Sequence, residues 1–175
     1  LSAIASAARN GVLFKGGRYI EALGRVKAIA FDKTGTLTRG RFEVTDVVAL
    51  ALPGAPAATE DEVLAWAASA EKRSQHPLAQ AVVRAAEARG LAFTPASQLT
   101  SHLGKGLVAQ IAAGTVEVGT AELFAELGVE VPPAGIETLE RFTREAHTAM
   151  LVRHGGRWGV IAAADEPRPI AAATV

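Results

Sequence analysis

Hydrophobic and polar positions along the chain fall into blocks whose period switches between helical and extended. "SAIASAARN" has helical spacing and stops at Gly11, and "RYIEALG" reads as one or two further turns closed by Gly24, with "GVLFKGG" a short extended piece between them. "VKAIAF" is a continuous apolar run ending in a polar turn, the pattern of a buried parallel strand, and "FEVTDVVAL" alternates as a second, longer strand. "PGAPAATEDE" reads as a linker or turn. Beyond it Thr59 and Glu62 have capping-box spacing ahead of a helix through "DEVLAWAASAEKRS". Pro77, at the tolerated first-turn position, starts "PLAQAVVRAAEARG", which Gly90 closes. From Leu99 to Gly119 the texture is β-like and punctuated by glycine. "TAELFAELG" and "GIETLERFTREAH" follow as amphipathic helices, and "AMLVRHGGRWGVIAAAD" as two apolar strands about a "HGGR" turn. "EPRPIAAATV" reads as an exit segment whose two prolines block regular structure. The order is a strand with an Asp-bearing loop, a self-contained helix–helix–sheet insertion, and an exit.

Composition narrows this picture. At 175 residues the chain can hold one good core or two small ones, and 49% hydrophobic against 21% charged residues argues against intrinsic disorder. Eighteen basic residues balance eighteen acidic ones, which argues against nucleic acid or an anionic membrane as a bulk electrostatic partner. Cysteine is absent, so there is neither a disulfide framework nor a thiolate metal site. No apolar run approaches the ~20 residues of a spanning helix. The first residues lack the layout of a signal peptide, and both ends read as cut from something longer.

The chemistry concentrates in "DKTGTLT", Asp32 to Thr38. A parallel strand ending there presents Asp32 at the open edge of an α/β sheet, where ligands bind. A carboxylate in that place serves as nucleophile, metal ligand or turn former. Gly35 allows successive N–H groups to face an anion, Thr34 and Thr36 add hydroxyls, and Lys33 adds positive charge. Carboxylate plus anion cradle suits phosphoryl transfer to Asp, with Mg2+ shared between carboxylate and phosphate.

The complete heptad is identified as the phosphorylation signature of P-type ATPases. The resemblance implies Asp32, Lys33 and Thr34 as catalytic residues and Asp32 and Thr34 as the contribution to a Mg2+ site. Phosphatases of the wider haloacid-dehalogenase-like superfamily usually carry a second Asp two residues after the nucleophile. Here Thr34 stands there, so a phosphorylated Asp32 would lack a local general base, a device contributing ~10²–10⁴-fold elsewhere.

"SQHPL" (Ser74 to Leu78) and "GKG" (Gly104 to Gly106) are each weak alone. Downstream of DKTGTLT they resemble the nucleotide-binding domain of the heavy-metal-transporting P-type ATPases, with its S-E-H-P-L and G-x-G motifs. The resemblance implies that His76 orients adenine and that Gly104 and Gly106 admit nucleotide close to the backbone. Gln75 replaces the family's Glu, keeping a hydrogen-bonding group without its charge. Gly119 matches a Gly-Asn pair whose Asn is Thr120 here. Asp165 and Arg168 of "DEPRP" match a hinge motif and would guide the nucleotide; Ile170 stands where a Glu is common. The remaining histidines, His102, His147 and His154, are scattered, Trp66 and Trp158 read as core, and "EKR" before SQHPL reads as a solvated helix end.

The expectation is therefore an α/β chain: an antiparallel sheet flanked by helices, inserted in a partial Rossmann-like phosphorylation domain. Residues 1–48 would begin that domain, 49–164 form the nucleotide-binding domain and 165–175 return as a hinge. ATP or ADP and Mg2+ are the implied cofactors. The implied partners are the rest of a pump chain at the cytoplasmic face of a membrane: its membrane helices, actuator domain and remaining phosphorylation domain. The transported cation would bind elsewhere, and the opening segment looks closer to zinc/cadmium/cobalt-type pumps than to copper ones. The T-G-D and G-D-G-x-N-D motifs of the family are absent, so this segment is expected to bind nucleotide without turnover. Two rivals are a soluble phosphatase or phosphomutase with residues 50–164 as its cap, and a non-catalytic nucleotide-binding module.

Overall fold

Two glycines at positive φ, Gly155 (55°) and Gly156 (80°), make the tight two-residue turn that joins two inner strands of a six-stranded sheet. The structure, a computed structural model, describes residues 2–54 and 56–171, without the side chains of Ser2, Lys33, Thr34 and Pro167. The chain forms two compact units, residues 1–33 and 34–175.

The first unit holds α1 (Ser2–Arg9) and α2 (Gly17–Leu23), followed by irregular backbone. None of its described side chains is buried, and Leu13, Ile29 and Phe31 are exposed. The strand expected over "VKAIAF" is not formed. A buried parallel strand needs a hydrogen-bonding neighbour and cover on both faces, and the described residues of this unit supply neither.

A wide helical turn over Lys33–Leu37 starts at the last residue of the first unit, and the second unit continues from it into β1 (Thr38–Leu50). Helices α3 (Glu60–Glu71) and α4 (Pro77–Ala88) come next, then strands β2 (Gln98–His102), β3 (Gly106–Ile111) and β4 (Gly114–Gly119). Helices α5 (Ala121–Glu126) and α6 (Pro133–Arg144) precede the hairpin β5 (Thr148–His154) and β6 (Arg157–Pro167). The sheet order is β1-β6-β5-β4-β3-β2, with every pair antiparallel.

Both faces of this sheet are covered. Met150, Val152 and Ile161 pack with Val63, Leu64 and Val82 of α3 and α4, while Leu151, Val160 and Trp158 pack with Phe124 and Phe142 of α5 and α6. Neighbouring positions on one strand thus serve opposite cores, which is why the hairpin reads as a continuous apolar run. Helix α3 is buried around most of its circumference, from Val63 to Ala70, as its alanines allow. Trp66 and Trp158 both lie in the core.

One strand end differs from expectation. The exit segment does not leave the sheet after Asp165, because β6 continues through Glu166 to Pro167, paired with β1 as far as Thr38. Pro167 occupies the strand's last position and Pro169 lies beyond it, so neither removes a donor from the middle of the ladder.

The capping box is complete: Glu62 N–H donates to Thr59 Oγ1 (3.2 Å) and Thr59 N–H to Glu62 Oε2 (2.8 Å). Thr59→Ala is expected to destabilise the second unit by about 1 kcal/mol, read as a lower urea midpoint at unchanged m-value.

Candidate functional site

The corner between α3 and α4 is built from hydrogen bonds that its sequence encodes. Ser74 N–H donates to Glu71 O (2.8 Å), and Ser74 Oγ accepts from His76 N–H (3.2 Å). His76 is the N-cap of α4, with extended backbone, and its Nδ1 accepts from Leu78 N–H (3.3 Å). An imidazole accepting at Nδ1 carries its proton on Nε2. The cap thereby fixes the ring and leaves one N–H donor on an exposed side chain.

His76 opens onto a cavity of about 390 Å³, larger than two other surface clefts of about 270 Å³ each. Its apolar lining includes Leu78, Leu107, Val118 and Met150. Glu71 lines it too, with a carboxyl raised above the usual range by burial and partly brought back by a hydrogen bond from the Ser74 hydroxyl. The turn between β2 and β3 forms another wall and contributes His102, Leu103, Gly104 and Lys105.

Gly106 and Gly119 face each other in the β3–β4 ladder. A Cβ on Gly106 would stand 2.1 Å from Val118 O, and one on Gly119 would stand 2.3 Å from Lys105 O and 2.7 Å from Leu123 Cδ2. Gly106 also has φ 142°. Their first role is thus to let two strands and α5 close together beneath the cavity. Gly104, with φ 73°, has open space where a side chain would stand, and it alone of the three offers bare backbone to a ligand.

A second cluster surrounds the polar turn after the first unit. Gly35 N–H donates to Thr38 Oγ1 (3.0 Å), whose hydroxyl donates to Asp165 Oδ2. The other oxygen of Asp165 accepts from Arg41 N–H (2.9 Å). Arg168 gathers backbone carbonyls: Nε meets Thr36 O (3.1 Å) and Thr38 O (3.0 Å), Nη2 meets Gly35 O (3.2 Å), and its own N–H meets Leu37 O (2.8 Å). A planar guanidinium supplies such converging donors; a lysine does not. The Gly35 N–H expected to face an anion is therefore already taken by Thr38.

The structure brings His76, Gly104, Gly106 and Gly119 together, with Thr120, around one cavity. Gln75 lines a neighbouring cleft beside Gln80 instead, and Asp165 and Arg168 sit at the loop rather than in the cavity. Asp32 belongs to the first unit, where its side chain is exposed; the side chains of Lys33 and Thr34 lie outside the described residues. Among the described residues no three His, Asp or Glu side chains gather as a metal site. A lone carboxylate such as Asp32 fits Mg2+ only alongside phosphate oxygens and water. Glu71 corrects the reading of "EKR" as a solvated helix end: the cavity encloses its first residue. Its place one helical turn before the SQHPL corner was the available signal.

Residues 26–175 match the family model of haloacid dehalogenase-like hydrolases. The manganese-exporting P-type ATPase of Mycobacterium tuberculosis is 40% identical over 172 residues, 98% of this chain and 23% of its own length. The chain thus spans about a quarter of that relative. A zinc-transporting PIB-type ATPase structure superposes with TM-score 0.70 at 38% identity, covering 98% of this chain and 27% of that one. The N-domain of HMA8, a copper-transporting P-type ATPase, superposes with TM-score 0.55 at 30% identity, covering 69% of this chain and 98% of that domain.

Burial of Glu71 works against its ionised form, so this carboxyl lowers stability at neutral pH and ceases to do so once protonated. Glu71→Gln is expected to raise the melting temperature at pH 7, with the gain vanishing as pH falls below 4.5. Arg168→Lys is expected to speed amide exchange in residues 35–38 by roughly 10-fold or more, since a charge-assisted hydrogen bond contributes about 1.5–3 kcal/mol.

Proposed function

The chain belongs to the haloacid dehalogenase-like hydrolases and, within them, to the heavy-metal P-type ATPases, and on that footing we propose that it is the ATP-binding part of an ATP-driven metal-cation transporter. One observation carries this reading: His76, Glu71 and Gly104 converge on a single cavity with an apolar floor. Its size falls in the range of small-molecule sites, ~300–1,000 Å³. An adenine ring would lie on Leu107, Val118 and Met150, with the His76 Nε2–H donating to a ring nitrogen. The Glu71 carboxyl would pair with the exocyclic amine, and Gly104 would let the sugar pass close to the backbone.

Residues 49–164 are the nucleotide-binding domain in this reading, 1–48 the start of the phosphorylation domain and 165–175 the hinge back to it. That division is supported by the isolated copper-pump N-domain, which matches over nearly its full length. Asp32 would be the nucleophile of the whole pump. An oxygen of its carboxylate bonds to the γ-phosphorus of ATP while the bond to the β–γ bridging oxygen breaks and ADP leaves. Asp32 and Thr34 would contribute to holding Mg2+, which would supply positive charge to offset that of the phosphates. Lys33 would add positive charge beside the transferring group. Asp165 and Arg168 would act on this step through the loop they shape.

The exposed apolar side chains of the first unit support the presence of further protein to cover them, which is the remaining phosphorylation domain. By itself the segment would bind nucleotide without sustained turnover, at the cytoplasmic face of the membrane. No described helix is long and apolar enough to cross a membrane.

Calorimetric titration with ADP tests the site directly. Saturable binding is expected, weakened roughly 10-fold by His76→Ala through loss of about 1.4 kcal/mol. No binding at millimolar nucleotide would overturn the reading, and steady ATP hydrolysis lost in Asp32→Asn would overturn the absence of turnover.

A further inference from the structure

We propose that Glu126 is a positioning residue for the nucleotide site, acting by holding the β2–β3 turn in place as a wall of the cavity. This rests on the nucleotide-binding reading above. Glu126 ends α5 and does not line the cavity itself. Its two carboxylate oxygens take the two polar side chains at the ends of that turn: Oε1 meets His102 Nδ1 (2.9 Å) and Oε2 meets Lys105 Nζ. Those partners, Lys105 first, hold the carboxyl below its usual range, so it is the anion that binds them.

Apart from Glu126, the turn is held by its own backbone, with Lys105 N–H donating to His102 O (2.9 Å). Leu103 at its tip is 100% exposed, so no apolar packing anchors it. Strand β2 is the edge of the sheet, exposed at Gln98, Leu99, Thr100 and Ser101, and its ladder partner is β3. At the base, Lys105 O accepts from Thr120 N–H (2.8 Å) and the Gly106–Gly119 contact closes the strands. The turn is therefore fixed at its root by backbone and at its outer side by Glu126.

An exposed ion pair contributes little to global stability, so this arrangement has small value as a fold-stabilising contact. Its effect falls on binding. A cavity wall that is already ordered loses less conformational freedom when ligand arrives, and affinity gains accordingly. The alternative is that Lys105 meets the nucleotide phosphates itself, in which case Glu126 competes with the ligand and its removal strengthens binding.

Calorimetry with adenosine and with ADP separates the two, using the unaltered chain, Glu126→Ala and Glu126→Gln. A positioning role predicts that Glu126→Ala weakens both ligands alike, roughly 3- to 10-fold, with an unchanged melting temperature and faster amide exchange at residues 102–105. Glu126→Gln keeps one acceptor oxygen and should recover part of the loss. Unchanged affinity in Glu126→Ala, or tighter ADP with unchanged adenosine, overturns the proposal while leaving nucleotide binding intact. Failure of the unaltered chain to bind either ligand overturns the nucleotide reading, and this role with it.

Discussion

The pairing of β1 with β6 is the contact on which the arrangement of the second unit depends. The ladder runs from Thr38 opposite Pro167 to Leu50 opposite Trp158, with irregularities between Thr38 and Phe42 and between Val44 and Asp46. At one end it belongs to a six-stranded sheet with a core on each face. At the other, beyond the reach of β5, it narrows to a two-stranded ribbon that delivers Asp165 and Arg168 to the TGTLT turn. One set of backbone hydrogen bonds thus joins the cavity-bearing domain to the loop whose sequence carries the phosphorylation signature.

What the sequence discloses depends on whether a feature is local. The capping box at Thr59, Pro77 at the first turn of α4 and the HGGR hairpin each follow from a few adjacent residues, and each appears where those residues put it. "VKAIAF" did not, because a buried parallel strand is a property of its neighbours as much as of its own side chains. The "EKR" run failed for a related reason: Glu71 looks like a helix-end charge until the fold brings β3, β4 and β5 over it. The motifs that carry the resemblance place His76, Gly104, Gly106 and Gly119 around one cavity, yet motif resemblance could not separate glycines needed for strand closure from the one left bare. Nor could it show that Asp165 and Arg168 reach the loop. That contact depends on β6 running through Glu166, and two nearby prolines hide the continuation.

The cavity combines groups under different constraints. His76 is held by the same hydrogen bond that starts α4, so its placement follows from helix formation. Glu71 is kept partly from water at a cost to its ionised form. Gly106 and Gly119 are fixed by contact distances that allow no added carbon. A rigid floor, an oriented ring and a poorly solvated carboxyl fit the general expectation that binding sites depart from the best local choice for stability.

Thr38 and Asp165 lie 127 positions apart in the chain. Contacts across so long an intervening segment form late, since the entropy of closing the loop is recovered only when the chain between has condensed. The shape of the TGTLT turn thus depends on the same long-range pairing of β1 with β6 that completes the six-stranded sheet. A chain whose cavity-bearing domain has misfolded would lack the contacts from Asp165 and Arg168 that shape the TGTLT turn. The ribbon thus makes the shape of this turn a report on whether the sheet behind it has closed.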